Sequence, residues 1–304
     1  MTMPPAVRSQ YPWVGKRIAV DGGMMNVLDE GPEDAPVLLC VHGNPTWSFY
    51  WRNLILGLRD RCRCIAVDHV GCGLSDKPQE YRYTLAGRIE DLASFVQSID
   101  LRGTTLVAHD WGGAIGLGTV QRLRKRFARI VLFNTGAFPP PFVPWRIAAC
   151  RLPVVGTVAL RGLNAFARAA LSMAVEKPDR MTADVQAGLM APYDNWNNRI
   201  AIDQFVKDIP FSRRHPTWSV LDGIEAGLES LRELPSQLIW GMRDWCFRPE
   251  CLERMRQHWP HAEVQRLDDC GHYVVEDAHE RIVPLMRDFF ARHPAVANPV
   301  SSAG

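Results

Sequence analysis

The chain has 304 residues, of which 47% are hydrophobic and 22% charged, enough to bury the core of one large globular domain with an insertion. Its formal net charge of +2 provides no global electrostatic attraction to nucleic acid or to an acidic membrane surface. The first residues, Met1 to Arg8, lack the apolar core of a signal peptide, and no apolar run reaches transmembrane length, so we expect a cytoplasmic protein without a transmembrane segment.

Strand-like and helix-like patterns alternate through the first half of the chain. An opening hairpin is predicted around Asp21-Gly22-Gly23, and a buried-type strand follows at residues 36–41. The patterns that come next predict helices at residues 48–59, 85–99 and 113–127 and strands at residues 63–67, 105–108 and 130–134. This alternation predicts an α/β fold with a mostly parallel central sheet covered by helices on both faces.

A proline-rich run between Phe138 and Pro144 interrupts the alternation, which resumes only near Ser236. We therefore predict a helical cap at residues 138–215, inserted after the sixth strand, between core parts at residues 1–137 and 216–304. For most apolar cap residues we expect packing against the core. The functional alternative is a cavity for a long apolar substrate, lined by Phe142, Trp145, Leu163, Phe166 and Leu171.

Asp110 stands where the strand ending at Ala108 gives way to a helical pattern, in His109-Asp110-Trp111-Gly112-Gly113. In a nucleophile elbow, a sharp turn lifts a side chain above the sheet, and small residues let strand and helix pack closely. Gly112 meets that need, although Ala108 replaces the usual first glycine. A carboxylate here is ionised at neutral pH and can attack an electrophilic carbon directly. The alternative is that Asp110 only caps the helix.

Two polar positions far downstream also follow strand-like runs. Asp244 comes after the run at residues 236–240, and His272 comes after the run at residues 264–267. Because the carboxyl ends of parallel strands meet at one edge of a sheet, these side chains are expected to converge with Asp110. The chain order nucleophile, acid, histidine is that of the α/β-hydrolase triad. We predict Asp110 as the nucleophile, His272 as the base and Asp244 as the carboxylate that orients the imidazole.

The loop His42-Gly43-Asn44-Pro45 follows the third strand and supplies the other side of the site. Backbone amides of this loop and of Trp111 are expected to form an oxyanion hole. The side chains of Asn44 and Trp111 add uncharged N–H donors that can hold a carboxylate or a halide as a bond breaks. The alternative is that Asn44-Pro45 is an ordinary turn.

The eight cysteines indicate neither disulfides nor a metal site. Several of them lie in or beside strand-like runs of a chain too large to need disulfide bonds, so we expect reduced thiols. Cys62 and Cys64 are separated by one residue, which matches strand alternation better than the usual spacing of zinc ligands. We predict no metal and no cofactor.

Together, these motifs resemble the haloalkane dehalogenase branch of the α/β hydrolases over nearly the whole chain. A narrower set resembles the OleB family, the β-lactone decarboxylases of bacterial long-chain olefin biosynthesis. This set consists of residues 49–53, 68–76, 191–194 and 240–247.

The resemblance implies that a cis-3,4-dialkyl-oxetan-2-one loses CO2 to give a cis alkene. Asp110 would attack the strained ring, Asn44 and Trp111 would steady the developing anion, and His272 with Asp244 would manage proton transfer. The resemblance leaves open whether the attack falls on the ring carbon that bears oxygen or on the carbonyl carbon. It also implies association with a β-lactone synthetase of the same pathway.

Three other functions fit parts of the pattern. In a haloalkane dehalogenase the same aspartate displaces halide, and His272 activates the water that hydrolyses the alkyl ester. The combination of Asn44 with Asp244, the narrower matches and the apolar cap favour the lactone. Epoxide hydrolases use two cap tyrosines, whereas this cap has only Tyr193. A ligand-binding protein without activity is the fourth interpretation, because a fold alone does not decide function.

Overall fold

The structure is a computed structural model that describes residues 5–295. Met1 to Pro4 of the N-terminal segment discussed above, and residues 296–304 of the second core part, lie outside the described residues. Among the residues described, no helix is long and apolar enough to cross a bilayer, and no group of three or more acidic, histidine or cysteine side chains has the arrangement of a metal site. All eight cysteines are free thiols.

A single eight-stranded sheet forms the centre of the molecule, in the spatial order β1-β2-β4-β3-β5-β6-β7-β8. Its strands are β1 Lys16–Val20, β2 Gly23–Glu30, β3 Val37–Val41, β4 Arg63–Asp68, β5 Thr104–Asp110, β6 Phe127–Thr135, β7 Ser236–Gly241 and β8 Glu263–Leu267. β2 runs antiparallel to both β1 and β4, and the other neighbours are parallel. The predicted hairpin and the mostly parallel sheet are confirmed.

Twelve α-helices surround or extend this sheet in the described part of the chain. They are α1 Pro5–Gln10, α2 Arg52–Leu58, α3 Leu85–Ser98, α4 Trp111–Arg122, α5 Trp145–Ala149, α6 Val155–Thr157, α7 Ala165–Met173, α8 Ala183–Met190, α9 Ile200–Lys207, α10 Pro216–Gly227, α11 Pro249–His258 and α12 Val274–Arg292. The helix predicted to reach Phe127 ends at Arg122, because Phe127 is buried as the first residue of β6 and pairs with Thr104 of β5.

The central strands are buried on both faces, which explains their continuous apolar sequences. Leu39 and Leu106 pack in a core layer with residues of α3 and α4. Leu38 and Val107 point the other way and pack with residues of α2 and α12. Because side chains alternate along a strand, one apolar run fills both layers. The carboxyl ends of the parallel strands β3 to β8 all lie at one edge of this sheet.

The chain between β6 and β7 contains helices α5 to α10 and no strand. Ile147, Leu160 and Val206 form a small core of their own that joins α5, the turn after α6, and α9. α10 instead contacts α3 and α4 of the main body. The helical insertion after the sixth strand is therefore confirmed as a feature of the fold, and the boundaries at residues 138 and 215 stay a prediction.

Candidate active site

Asp110 is the last residue of β5, and α4 begins at the next residue. Its backbone has φ 55° and ψ −131°, in the positive-φ region that few side chains other than Asn and Asp adopt. The carboxylate makes no capping hydrogen bond to α4, so the helix-capping interpretation is wrong. It accepts instead the backbone N–H of Asn44, with 2.7 Å between Asn44 N and Asp110 Oδ1.

Two glycines allow the close approach of chain segments on which this geometry depends. A Cβ atom on Gly43 would lie 1.9 Å from Asp110 Oδ1, and one on Gly112 would lie 2.1 Å from the carbonyl oxygen of Val41. Neither distance is possible between real atoms. The loop after β3 therefore touches the Asp110 carboxylate only because residue 43 has no side chain.

We expect Gly43→Ala to lower kcat by roughly a hundredfold, because the added methyl group must displace the Asp110 carboxylate or the loop after β3. Steady-state kinetics on the purified variant would measure the loss. Gly223→Ala is the matched control, since a Cβ at Gly223 meets nothing within 4 Å. If Gly43→Ala were as active as Gly223→Ala, the position of the Asp110 carboxylate would not depend on the missing side chain at residue 43.

His272 lies between the two carboxylates. Its Nδ1 is 2.8 Å from Asp244 Oδ2, and its Nε2 is 3.7 Å from Asp110 Oδ2. The other oxygen of Asp244 accepts the backbone N–H groups of Cys246 and Phe247, at 2.6 and 3.1 Å. Asp244 is therefore held in place and orients the imidazole so that Nε2 faces Asp110. The structure brings together the three side chains that the sequence assigns to the triad.

The titration behaviour of this buried pair follows from its surroundings. Burial raises the pKa of the Asp110 carboxyl, while the His272 charge and the amides of Trp111 and Asn44 oppose that rise. Burial alone would lower the pKa of His272, but the Asp244 and Asp110 carboxylates outweigh it and raise that pKa above its ordinary value. The two carboxylates therefore stabilise the protonated form of His272, and the His272 charge in turn offsets part of the effect of burial on Asp110.

Asn44 and Trp111 both border the cavity above Asp110. The Asn44 backbone N–H, expected to serve an oxyanion hole, is occupied by Asp110 itself. The Asn44 side-chain amide lies 3.5 Å from the carbonyl oxygen of Ile202, at the limit of a hydrogen bond. That amide is consequently the loop donor best placed to serve a bound anion, together with the indole N–H of Trp111.

A cavity of about 320 Å³ lies between this edge of the sheet and the cap, and its wall is mostly apolar. Phe142 and Phe166 line it as expected. Trp145 and Leu163 do not, because their side chains are 74% and 68% exposed at the surface. Leu171 also lies outside the wall and packs in the core layer that contains α12. These three expectations are corrected.

The helical repeat explains the correction. The α7 residues that line the cavity share one face of the helix, at spacings of three and four residues: Ala165, Phe166, Ala169, Ala170 and Met173. Leu171 falls on a different face. Sequence reasoning also missed Phe247, whose ring stacks on the His272 imidazole with a centroid distance of 5.8 Å and an interplanar angle of 19°. The spacing shows only that the first set shares one face of α7, and no local pattern marks Phe247.

Comparison with known proteins places this site in context. A family model described as the alpha/beta hydrolase family matches residues 38–285. The chain is 43% identical to the cis-3-alkyl-4-alkyloxetan-2-one decarboxylase of Xanthomonas campestris pv. campestris, covering 93% of this chain and 98% of that protein. It is 39% identical to the protein of the same name from Shewanella oneidensis, with coverages of 93% and 90%.

Haloalkane dehalogenases are similar at lower identity. The chain is 31% identical to haloalkane dehalogenase 2 of Mycobacterium tuberculosis, covering 92% of this chain and 96% of that protein. Among solved structures, a putative ancestral haloalkane dehalogenase superposes with a TM-score of 0.83 at 25% identity, covering 91% of this chain and 98% of that one.

Proposed function

The chain belongs to the alpha/beta hydrolase family and, within it, to the group of the cis-3-alkyl-4-alkyloxetan-2-one decarboxylases, and on this premise we propose that it converts cis-3,4-dialkyl-oxetan-2-ones to cis alkenes and CO2. The observation that carries the proposal is the 43% identity over nearly the full length of both proteins. The apolar cavity above Asp110 supports it, because two alkyl chains need such a wall.

We assign Asp110 as the nucleophile and the lactone carbon C4 as its target. Asp110 Oδ2 bonds to C4 while the bond from C4 to the ring oxygen breaks, which leaves a carboxylate on C3. The bond between C3 and that carboxylate then breaks, and its electron pair forms the C3–C4 double bond. The C4–Oδ2 bond breaks in the same step, so CO2 and alkene leave and the Asp110 carboxylate returns. Neither water nor a proton is consumed.

Attack on the carbonyl carbon fits the reaction less well. It would form an anhydride with Asp110 and leave an alkoxide at C4, and loss of that oxygen as water would then require two protons. The C4 route also preserves geometry, because inversion at C4 followed by anti elimination turns a cis lactone into a cis alkene.

The surrounding residues then have distinct roles. Asn44 and Trp111 bind the carboxylate released on C3, as uncharged donors that do not hold CO2 once it forms. The apolar wall, including Phe142 and Phe166, excludes water and disfavours a carboxylate relative to neutral CO2. His272, oriented by Asp244, keeps Asp110 ionised by its positive charge.

Dehalogenation is the second candidate, favoured by the structural likeness to a haloalkane dehalogenase and by the shared nucleophile, histidine and donors. There, His272 would activate water to hydrolyse the Asp110 ester. The chain is only 31% identical to haloalkane dehalogenase 2 of Mycobacterium tuberculosis, against 43% to the decarboxylase of Xanthomonas campestris pv. campestris. We therefore rank dehalogenation below decarboxylation. Epoxide hydrolysis and ligand binding without turnover rank lower still.

The two reactions are separated by supplying purified protein with a long-chain cis-β-lactone or with a 1-bromoalkane in H2¹⁸O. We expect CO2 and an internal cis alkene from the lactone, with no ¹⁸O in the Asp110 peptide by mass spectrometry. Hydrolysis of a bromoalkane would place ¹⁸O in that peptide. Unchanged lactone together with rapid bromide release would reverse the ranking.

We further propose that the reaction takes place in the cytoplasm and that the chain associates with a β-lactone synthetase. A strained lactone reacts with water and its alkyl chains make it sparingly soluble, so direct delivery from the enzyme that forms it would limit losses. Co-purification of the two proteins after expression together would test the association, and independent elution in size-exclusion chromatography would oppose it.

A further inference from the structure

Large exposed apolar side chains are concentrated on the cap. Among the residues that the structure describes, ten large apolar side chains are exposed, and eight of them belong to the cap, with Val14 and Leu56 as the exceptions. We call these eight the cap face: Trp145, Leu152, Val154, Val155, Val158, Leu163, Trp196 and Phe211. Scattered apolar residues are normal on a soluble protein, whereas a cluster indicates a surface that binds something.

Contacts in the structure bring Val158, Leu163 and Trp196 of the cap face together. Val158 and Trp196 both come within 3.7 Å of the Cβ position of Gly162, so they meet across the turn that follows α6. The Leu163 amide donates to the Val158 carbonyl oxygen. Arg151, two residues after the end of α5, stacks on Phe211 with its guanidinium carbon 4.2 Å from the ring centroid.

The first part of the cap carries only positive charges. Residues 138–175 contain four arginines and no aspartate or glutamate. Within the described part of the chain, none of these four arginines has an ion-pair partner. Two stack on exposed indoles, Arg146 on Trp145 at 5.5 Å and Arg161 on Trp196 at 4.7 Å. The net charge of the whole chain is small, so this attraction for anions is local.

The cap face also borders the entrance of the substrate cavity. Arg146 and Pro141 are exposed residues that line the cavity, so the cavity reaches the surface beside Trp145. A ligand that enters there passes the first turn of α5, which carries Trp145 of the cap face. Exposed tryptophans, aliphatic side chains and arginines around an apolar entrance are the combination that binds the interface of a lipid bilayer.

We propose that the cap face docks on an anionic phospholipid surface, so that a long-chain lactone enters the cavity from the bilayer and the alkene returns to it. Apolar side chains enter the headgroup region, while the arginines bind lipid phosphates. The inference rests on the proposed function for the identity of the substrate. The docking itself depends only on the composition and exposure of the cap face.

The test measures binding to large unilamellar vesicles by co-sedimentation, without any lactone. We expect the wild-type chain to bind 3:1 phosphatidylcholine:phosphatidylglycerol vesicles and to bind pure phosphatidylcholine at least tenfold more weakly. The triple variant Trp145→Gln, Val155→Gln, Leu163→Gln should lose roughly tenfold or more of its affinity. The matched control Val14→Gln, Leu56→Gln removes exposed apolar side chains from the core and should bind like wild type.

A second pair of variants tests the charges. Arg146→Gln with Arg168→Gln should weaken binding roughly tenfold, whereas Arg122→Gln with Lys125→Gln, the same charge change on the core, should have little effect. Absence of wild-type binding, or equal loss in test and control variants, overturns the docking. Docking is also overturned if the chain self-associates through the cap face in sedimentation velocity. It is overturned likewise if the triple variant loses binding to a purified β-lactone synthetase while its vesicle binding is unchanged.

Failure of docking is distinguishable from failure of the proposed function. Turnover of a short-chain, water-soluble cis-β-lactone is measured in solution without vesicles, where the triple variant should match wild type because its three residues lie outside the cavity wall. Vesicle binding without any lactone turnover would retain the docking surface and reject the reaction.

Discussion

Asp110→Asn is expected to abolish turnover of the lactone, with kcat reduced by about 10⁴-fold or more, and to leave the fold intact. An amide oxygen is a far weaker nucleophile than a carboxylate, so no bond to C4 forms. The fold should tolerate the change because Asn also adopts positive φ and can still accept the Asn44 amide. Stopped-flow kinetics and circular dichroism would measure the two properties.

Asp100→Asn is the matched control for this variant, because Asp100 also has a positive φ, of 48°, and lies at the surface away from the cavity. It should keep the wild-type kcat. Retained turnover in Asp110→Asn would remove Asp110 from its role, and unfolding of that variant alone would assign it a structural one.

The second large effect is expected from His272→Gln, which should reduce lactone turnover at neutral pH by up to roughly 10³-fold through the loss of its charge beside Asp110. In the wild type, burial raises the pKa of Asp110 and the positive charge of His272 opposes the rise. Without that charge the pKa of Asp110 rises further, so a smaller fraction is ionised at neutral pH. The acidic limb of the pH–rate profile should therefore move to higher pH, and part of the activity should return under alkaline conditions.

Intact-protein mass spectrometry adds a second readout to this variant. With a 1-bromoalkane, His272→Gln should accumulate the Asp110 alkyl ester, because the water that hydrolyses the ester lacks its base. With the lactone no adduct should accumulate, since decarboxylation needs no water. His258→Gln, a partly buried histidine that contacts Glu225, serves as the control and should leave both profiles unchanged. An unshifted acidic limb in His272→Gln would contradict the charge role of His272.

The sheet and the triad could be predicted because each rests on a short-range pattern. Asp110 ends β5, Asp244 and His272 follow β7 and β8, and the parallel topology brings the carboxyl ends of these strands to one edge. The strand bounds agree to within a few residues for the same reason, because buried strands are continuous apolar runs. The error at the end of α4 arose where apolar Phe127 fits a helical pattern and a strand equally well.

The wall of the cavity could not be predicted from composition. α5 and α7 are short, and apolar residues occur on more than one face of each, so the sequence alone does not tell which face points inward. Packing decides it: Ile147 is buried against Leu160 and Val206, which turns the neighbouring Trp145 outward. The hydrogen bond from the Asn44 backbone N–H to Asp110 could not be predicted either, because it joins residues that are distant in the sequence.

The two oxygens of Asp110 are chemically different. Oδ1 is fixed by the Asn44 amide against Gly43, whereas Oδ2 faces the imidazole. That contact hinders rotation of the carboxyl group, so under the proposed mechanism the same oxygen atom would form the bond to carbon in each cycle. If the chain hydrolysed a bromoalkane, ¹⁸O that entered this position from water in one turnover would leave in the alcohol formed in the next. The alcohol would therefore carry the oxygen of the water consumed one turnover earlier.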